Sequence, residues 1–278
     1  MYLVTGATGN VGGEVVRALV EAGAEVRGLS RDPSRATSNM PAGATAVAGD
    51  LNRPETLAGP LVGVRGAFLL PGYADMTGAL AEIGRAGVNR VVLLSGSSVL
   101  ATDTNNVISR YMIESEAAVR ESGVPWTILR PGGFMSNTLQ WAPQVRAGDV
   151  VRAPYAGVRV ANIDPYDIGA VAAAALLSGE HEGKVYGLSG PEPLLPADRV
   201  EVLAKVLGRE LRFEAQPDDE ARAEMTAAMP VEYVDAFFSF YADGTLDESK
   251  VLPAVKEIVG RPPRTFEQWA TAHAGAFR

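Results

Sequence analysis

Val4-Thr5-Gly6-Ala7-Thr8-Gly9-Asn10-Val11-Gly12 is the stretch whose reading decides the fold. An apolar strand, Tyr2-Leu3-Val4, runs into glycines spaced Gly-x-x-Gly-x-x-Gly, and a segment with helical apolar spacing follows. A phosphate diester reaches backbone N–H groups closely only where no Cβ stands in the way. In this pattern Gly6 permits the tight turn, Gly9 lets a pyrophosphate approach and Gly12 lets helix and strand pack. Thr8, Asn10 and Val11 then sit where the helix N-terminus presents its partial positive charge. The pattern reads as a dinucleotide-binding site.

Outward from that stretch the chain alternates strand and helix. Val11, Val15, Val16 and Leu19 share one helical face, and Gly23 closes the helix. Strands are expected at 25–30, 45–48, 66–70, 90–94 and 125–129, with helices over 75–87 and 109–122. The run Gly66-Ala67-Phe68-Leu69-Leu70 is apolar throughout, as in a parallel sheet buried on both faces. This order implies right-handed crossovers and an α/β fold, a doubly wound parallel Rossmann sheet. After Arg130-Pro131-Gly132-Gly133 the rhythm changes. Residues 1–136 are expected to form the nucleotide domain, with 158–189, including strands at 158–161 and 184–187, returning to its sheet. Residues 137–157 and 190–278 are expected to form a smaller, mostly helical lobe. The ligand crevice lies beyond the carboxyl ends of the strands. That rule gathers Gly6–Val11, Arg31, Asp50, Leu70, Pro71, Ser95, Pro131, Gly132 and Phe134 around one cleft.

The 278 residues suffice for this architecture, and 47% hydrophobic with 21% charged residues is ordinary globular composition. A net charge of −8 disfavours direct binding to nucleic acid or an anionic membrane. The absence of cysteine excludes disulfides, thiol nucleophiles and thiolate metal sites. With a strand starting at residue 2 and no long apolar run, the expectation is a cytoplasmic protein, monomer or homodimer.

Rossmann proteins distinguish NAD from NADP at the end of the second strand, where an acid meets the ribose hydroxyl or an arginine meets the 2′-phosphate. Here that end reads Ser30-Arg31-Asp32-Pro33-Ser34-Arg35. Arg31 and Arg35 can flank a phosphate, so NADP(H) is preferred and NAD(H) stays possible. Asp32 either takes the place of the NAD-type acid or, followed by Pro33, caps the next helix. Asp50 suits the adenine amine, with Leu51 packed on the ring.

These segments, with Val91-Val92-Leu93-Leu94-Ser95, Trp126-Thr127-Ile128-Leu129-Arg130-Pro131-Gly132 and Ile163-Asp164-Pro165-Tyr166-Asp167-Ile168, resemble the NmrA-like, atypical branch of the short-chain dehydrogenase/reductase superfamily. The resemblance runs through residues 1–180 and loosens beyond. It implies an NADPH-dependent reductase of quinones or other aromatic compounds, or a non-catalytic sensor of NADP redox state acting through a protein partner.

By the same resemblance, the superfamily pairs a Tyr with a Lys four residues later on the helix after the fifth strand, the Lys easing proton donation by the Tyr. Counting back from Gly123 puts Glu116 at the branch's Glu, Met112 at its Lys and Ile108 at the Tyr. The pair is absent. Tyr111 lies about 100° around the helix from Met112, and with Ser95 it is the only catalytic candidate. Ser97 and Ser98 offer further hydroxyls. His181 and His273 read as structural, and no metal site is readable.

A quinone or cationic dye accepts hydride into a delocalised system and can take its proton from water, whereas a ketone or sugar needs an acid close by. The sequence therefore predicts a reductase of a quinone-like or other conjugated aromatic small molecule. The alternatives are the sensor and, more remotely, a nucleotide-sugar epimerase or dehydratase. Phe134, Asn137 and Trp141 are the expected substrate contacts, while Phe237, Phe238 and Tyr241 have the spacing of a lobe core.

Overall fold

The first apolar residues form β1 (Tyr2–Thr5), buried on both faces, and the computed structural model, which describes residues 1–278, builds outward from it. The nucleotide domain continues as α1 (Asn10–Glu21), β2 (Val26–Ser30), α2 (Pro33–Asn39), β3 (Ala44–Ala48), β4 (Gly66–Leu69), α3 (Met76–Arg85), β5 (Arg90–Leu94), α4 (Val107–Glu121) and β6 (Trp126–Pro131). Next come α5 (Ala142–Ala147), β7 (Val150–Ala153), α6 (Pro165–Leu177) and β8 (Lys184–Leu188). The chain ends with α7 (Pro196–Leu207), β9 (Arg212–Ala215), α8 (Asp218–Ala228), α9 (Val231–Tyr241), α10 (Ala254–Val259) and α11 (Phe266–His273).

The main sheet has the order β3-β2-β1-β4-β5-β6-β8, and every pairing is parallel. Strand order reverses between β1 and β4, which places the ligand crevice at the carboxyl end of β1. On one face α1 and α6 pack over Val4, Phe68, Val92 and Leu129. On the other, α3 and α4 cover Leu3, Leu69, Leu93 and Ile128. Alternate residues of each strand thus feed opposite cores, which is why these strands are apolar throughout.

The smaller lobe has its own core, in which Trp141, Val145 and Val151 meet Leu203, Phe266, Trp269 and Phe277. It also holds a short parallel pair, β7 with β9.

Three expectations need correction. Residues 158–161 do not return to the main sheet: after Tyr155, at φ 58°, and Gly157 the chain turns aside, and Val160 makes only an isolated bridge with Leu194. Residues 254–259 do not belong with the lobe, because Ala254 and Val255 are buried in the core over β8 and α6. Helix α4 starts two residues before the expected 109, since the Asn106 side chain accepts the N–H groups of Ile108 and Ser109.

Candidate functional site

The glycine loop joins β1 to α1 with three distinct roles. Gly6 adopts φ 61°, the left-handed region that favours glycine. A Cβ on Gly12 would stand 2.2 Å from the Gly6 carbonyl oxygen and 2.8 Å from that of Thr5, so Gly12 serves the approach of helix to strand. Gly9 is different. Its backbone is extended, and a Cβ there would meet only the Gly6 oxygen, at 3.3 Å. A side chain at Gly9 asks the Gly6 carbonyl to give by only a few tenths of an ångström, far less than at Gly12, so the fold constrains the bare position weakly compared with a ligand approaching from the cleft. No side chain caps α1, and no acid lies in its first turn. The N–H groups of Asn10, Val11 and Gly12 have no acceptor within the protein. An open cradle with unpaired donors and no acid in the first helical turn fits the phosphates of a dinucleotide, with Glu14 and Asp164 lining the space alongside.

At the carboxyl end of β2, Asp32 accepts from the Ser34 hydroxyl at 2.6 Å and from the Arg35 N–H at 3.2 Å. It is the N-cap of α2, and these bonds hold its carboxyl below the usual range. Arg31 and Arg35 are exposed and make no ion pair. Across from them, at the end of β3, Asp50 is half-buried, and Tyr73 faces Thr5, Asp50 and Arg31. Leu51 is 2% exposed and belongs to the core beneath the sheet, so it is not free to cover a ring. Leu70 lies 2.7 Å from where a Gly6 Cβ would stand, and half-buried Pro71 follows it.

Ser95, at the end of β5, is buried and donates to Glu116 Oε1 at 2.7 Å. Arg130 grips the same carboxylate with two bonds, of 2.8 and 2.7 Å, and Arg120 adds a third at 3.2 Å. Burial pushes the Glu116 pKa up, and the bonds from Arg130 and Ser95 outweigh it, leaving the carboxyl below its usual range. Ser95 is thereby engaged in fastening α4 to β5 and β6, which turns its hydroxyl away from the candidate catalytic role. Tyr111 is half-buried against the backbone of Gly72, beyond the β4 end, where burial raises its pKa.

Beyond β5 and β6 stands a second cluster. Glu248 accepts from the Ser97 hydroxyl and, at 2.9 Å, from the Tyr241 phenol. Its oxygens lie 3.4 Å from where Cβ atoms of Gly132 and Gly133 would stand. Burial raises the Glu248 pKa, opposed by the bonds from Ser97 and Tyr241, and burial also raises that of Tyr241. Both side chains keep some exposure. The Tyr241 ring lies 5.2 Å from that of Tyr155.

The remaining expected residues divide. Pro131 is buried as the last residue of β6, and the Gly132 N–H is taken by the Leu188 carbonyl. Phe134 is half-buried and bridges to Ile163, and Asn137 is exposed just beyond. Trp141 is a correction: it is 2% exposed inside the lobe core, with the Arg199 guanidinium over its ring, and does not line the cleft. A cleft of about 380 Å³ opens beside the glycine loop, bounded by Thr8, Asn10, Met40 and Tyr166, with Ser136 and Arg264 facing it. His181 pairs with the Tyr186 hydroxyl, and His273 stacks on Trp269.

A family model described as NAD(P)H-binding matches residues 6–178. The chain belongs to that family. Within this NAD(P)H-binding family its NmrA-like character agrees with the sequence resemblance. The chain is 44% identical over its whole length to a (4-alkanoyl-5-oxo-2,5-dihydrofuran-3-yl)methyl phosphate reductase of Streptomyces griseus, covering 99% of that protein. It is 38% identical, again over its whole length and 99% of the relative, to an NAD(P)H azoreductase of Xenophilus azovorans. A solved NADPH-dependent quinone oxidoreductase of Escherichia coli shares the fold, with a TM-score of 0.80, 23% identity and full coverage of both chains. No helix is long and apolar enough to cross a membrane.

For a member of this NAD(P)H-binding family, the sequence pattern singled out the glycine loop and the β2 end but not Tyr73, Arg199 or Glu248. Glu248 carries no local signal, since it meets Ser97 from 151 positions away. The Asp164–Ile168 segment proves to be a clasp. Asp167, fully buried, accepts from Arg261 at 2.6 Å and from the Arg264 N–H at 2.7 Å, while Asp164 caps α6.

Proposed function

We propose that the protein is an NADPH-dependent reductase of a conjugated, electron-poor small molecule of the quinone-like class. The observation that carries this reading is the presence of two features at the carboxyl edge of one sheet. An open phosphate cradle follows β1, and the Ser97–Glu248–Tyr241 cluster stands past the ends of β5 and β6, against Gly132 and Gly133. The substrates named for the two curated relatives, an unsaturated lactone and azo compounds, share a π system that accepts hydride. When bound, the reduced nicotinamide supplies that hydride.

The chain's own groups supply the proton and the setting. Helix α4 carries Ile108 and Met112 where the superfamily's Tyr and Lys would stand, and Ile108 packs with Phe237 and Tyr241 of the lobe. Tyr241 therefore brings a hydroxyl to a place that α4 leaves without one. In this reading Glu248 carries a proton and the Tyr241–Glu248 bond reverses, so that Tyr241 Oη gives its own proton to the reduced acceptor and takes the one on Glu248, which water restores after product leaves. Burial keeps Glu248 protonated at higher pH than an exposed glutamate, which suits a proton store. Lobe and loop hold the flat acceptor over the carboxyl ends of β5 and β6, excluding water. Arg31 and Arg35 favour the 2′-phosphate, while Asp32 turns Oδ1 to its helix cap.

The test is the loss of NADPH absorbance on mixing with a panel of quinones, azo dyes and α,β-unsaturated lactones. Turnover well above the buffer rate supports the reductase. Tight NADPH binding with no turnover on any acceptor would leave the sensor reading in its place.

A further inference from the structure

Arg199, in the first turn of α7, is a cation without a counter-ion. Its Nε is closed off from solvent with no acceptor. One terminal nitrogen reaches Thr138 Oγ1 at 3.3 Å, and the guanidinium lies 4.7 Å from the centre of the Trp141 ring. No carboxylate approaches it within ion-pair distance, and the neighbouring Asp198 is committed to Arg159 at 3.2 Å. The ionisable group that faces it is Tyr241, and burial pushes the Arg199 pKa down to about 10.

Half-buried Arg27 and Arg90 give their guanidinium hydrogens to backbone carbonyls, and other half-buried arginines have carboxylate partners. Arg130 has Glu116, Arg261 has Asp167 and Arg264 has Asp164. A sequestered charge with no partner is costly, and proteins keep one where something else completes it. Trp141 supports the guanidinium from the lobe core, and the fully buried Thr138 holds one of its nitrogens by accepting from it. Tyr241 links this corner to Glu248 and Ser97. A planar guanidinium held by stacking is suited to an oxyanion.

We infer that Arg199, positioned by buried Thr138 and Trp141, forms a subsite for an anionic group carried by the substrate itself, a phosphate ester, sulfonate or carboxylate a short distance from the conjugated system. It is separate from the cradle at α1, which takes the phosphates of the cofactor. The inference rests on the reductase reading for the identity of the occupant, and on the arginine alone for the existence of the site. Arg199 acts here in specificity, reading the substrate's charge while the reacting atoms lie toward Tyr241.

The experiment compares 1,4-naphthoquinone-2-sulfonate with uncharged menadione as acceptors, in wild type, Arg199→Gln and Arg199→Lys. A charge-assisted bond of this kind is expected to favour the sulfonate by about 10- to 150-fold in kcat/KM. Arg199→Gln should bring the ratio near unity, and Arg199→Lys should restore part of it. A sulfonate-to-menadione ratio that stays unchanged in folded Arg199→Gln, or that is already near unity in wild type, overturns the subsite. If neither quinone is reduced, the reductase reading fails, and calorimetric titration of phenyl phosphate with NADP⁺ present decides the subsite by itself. Binding lost in Arg199→Gln supports it. Binding that survives the substitution, or is absent from wild type, overturns it.

Discussion

The carboxylate of Asp32 is bonded to the Arg35 N–H at 3.2 Å, which makes it the cap of α2 instead of a free acid at the end of β2. The capping reading is the one the geometry meets, with both bonds on Oδ1. Arg31 stays exposed beside Asp32 without an ion pair, available to a ribose phosphate.

Arg31→Ala should therefore weaken NADPH binding by about 10- to 150-fold, the equivalent of one charge-assisted phosphate bond. NADH lacks the phosphate and should change little. Arg35→Ala should add to the loss, and the preference for NADPH should shrink with added salt because both arginines are exposed. Calorimetric titration with each cofactor checks this, and an equal loss for NADPH and NADH would contradict it.

Gly9→Val should abolish NADPH binding and leave the fold intact, since a Cβ there meets the protein only at 3.3 Å. Gly12→Val should fail to fold, because its Cβ would stand 2.2 Å from the Gly6 oxygen. Circular dichroism alongside calorimetry separates the two. A folded Gly9→Val that binds NADPH normally would remove the cradle from the account.

Glu116→Gln should destabilise the protein by about 3 kcal/mol or more, because it leaves Arg130 partly buried without its charge partner. The pH dependence has a definite sign. Glu116 is held below its unfolded value, so its contribution is present above the ordinary carboxylate range and is lost as pH falls through the folded value. Urea unfolding of wild type should show this acid loss, and the Gln variant should lack that component. Equal slopes in the two proteins would contradict the clasp.

Tyr241→Phe should lower kcat by about 100-fold, the low end for a positioned acid, while Tyr111→Phe should change it less than about tenfold. The wild-type rate should decline as pH rises through a value above the ordinary glutamate range, since Glu248 then loses its proton. A Tyr111→Phe loss as large as that of Tyr241→Phe would shift the proton donor to α4.

The nucleotide half was legible because its information is local. Glycine spacing, apolar strands and the β2 end each lie within a dozen residues. The site under the lobe was not, because its parts come from far apart and carry no periodic signal. Tyr241 has the spacing of a packed helix face, and it does pack on Phe240, yet its hydroxyl reaches Glu248. Trp141 and Leu51 mislead for the opposite reason. Each follows a loop that borders the cleft, but apolar burial turns the side chain inward. Residues 158–161 have a strand's composition, but β6 takes β8 as its neighbour and Val160 pairs only with Leu194.

The most direct measurement of the central claim is a single turnover. Protein charged with one equivalent of NADPH is mixed without oxygen with excess quinone, and NADP⁺ and hydroquinone are both quantified. The account predicts one hydroquinone per NADP⁺, formed far faster than in buffer and not at all by Gly9→Val. NADPH that stays bound and unoxidised in the presence of each acceptor would contradict it.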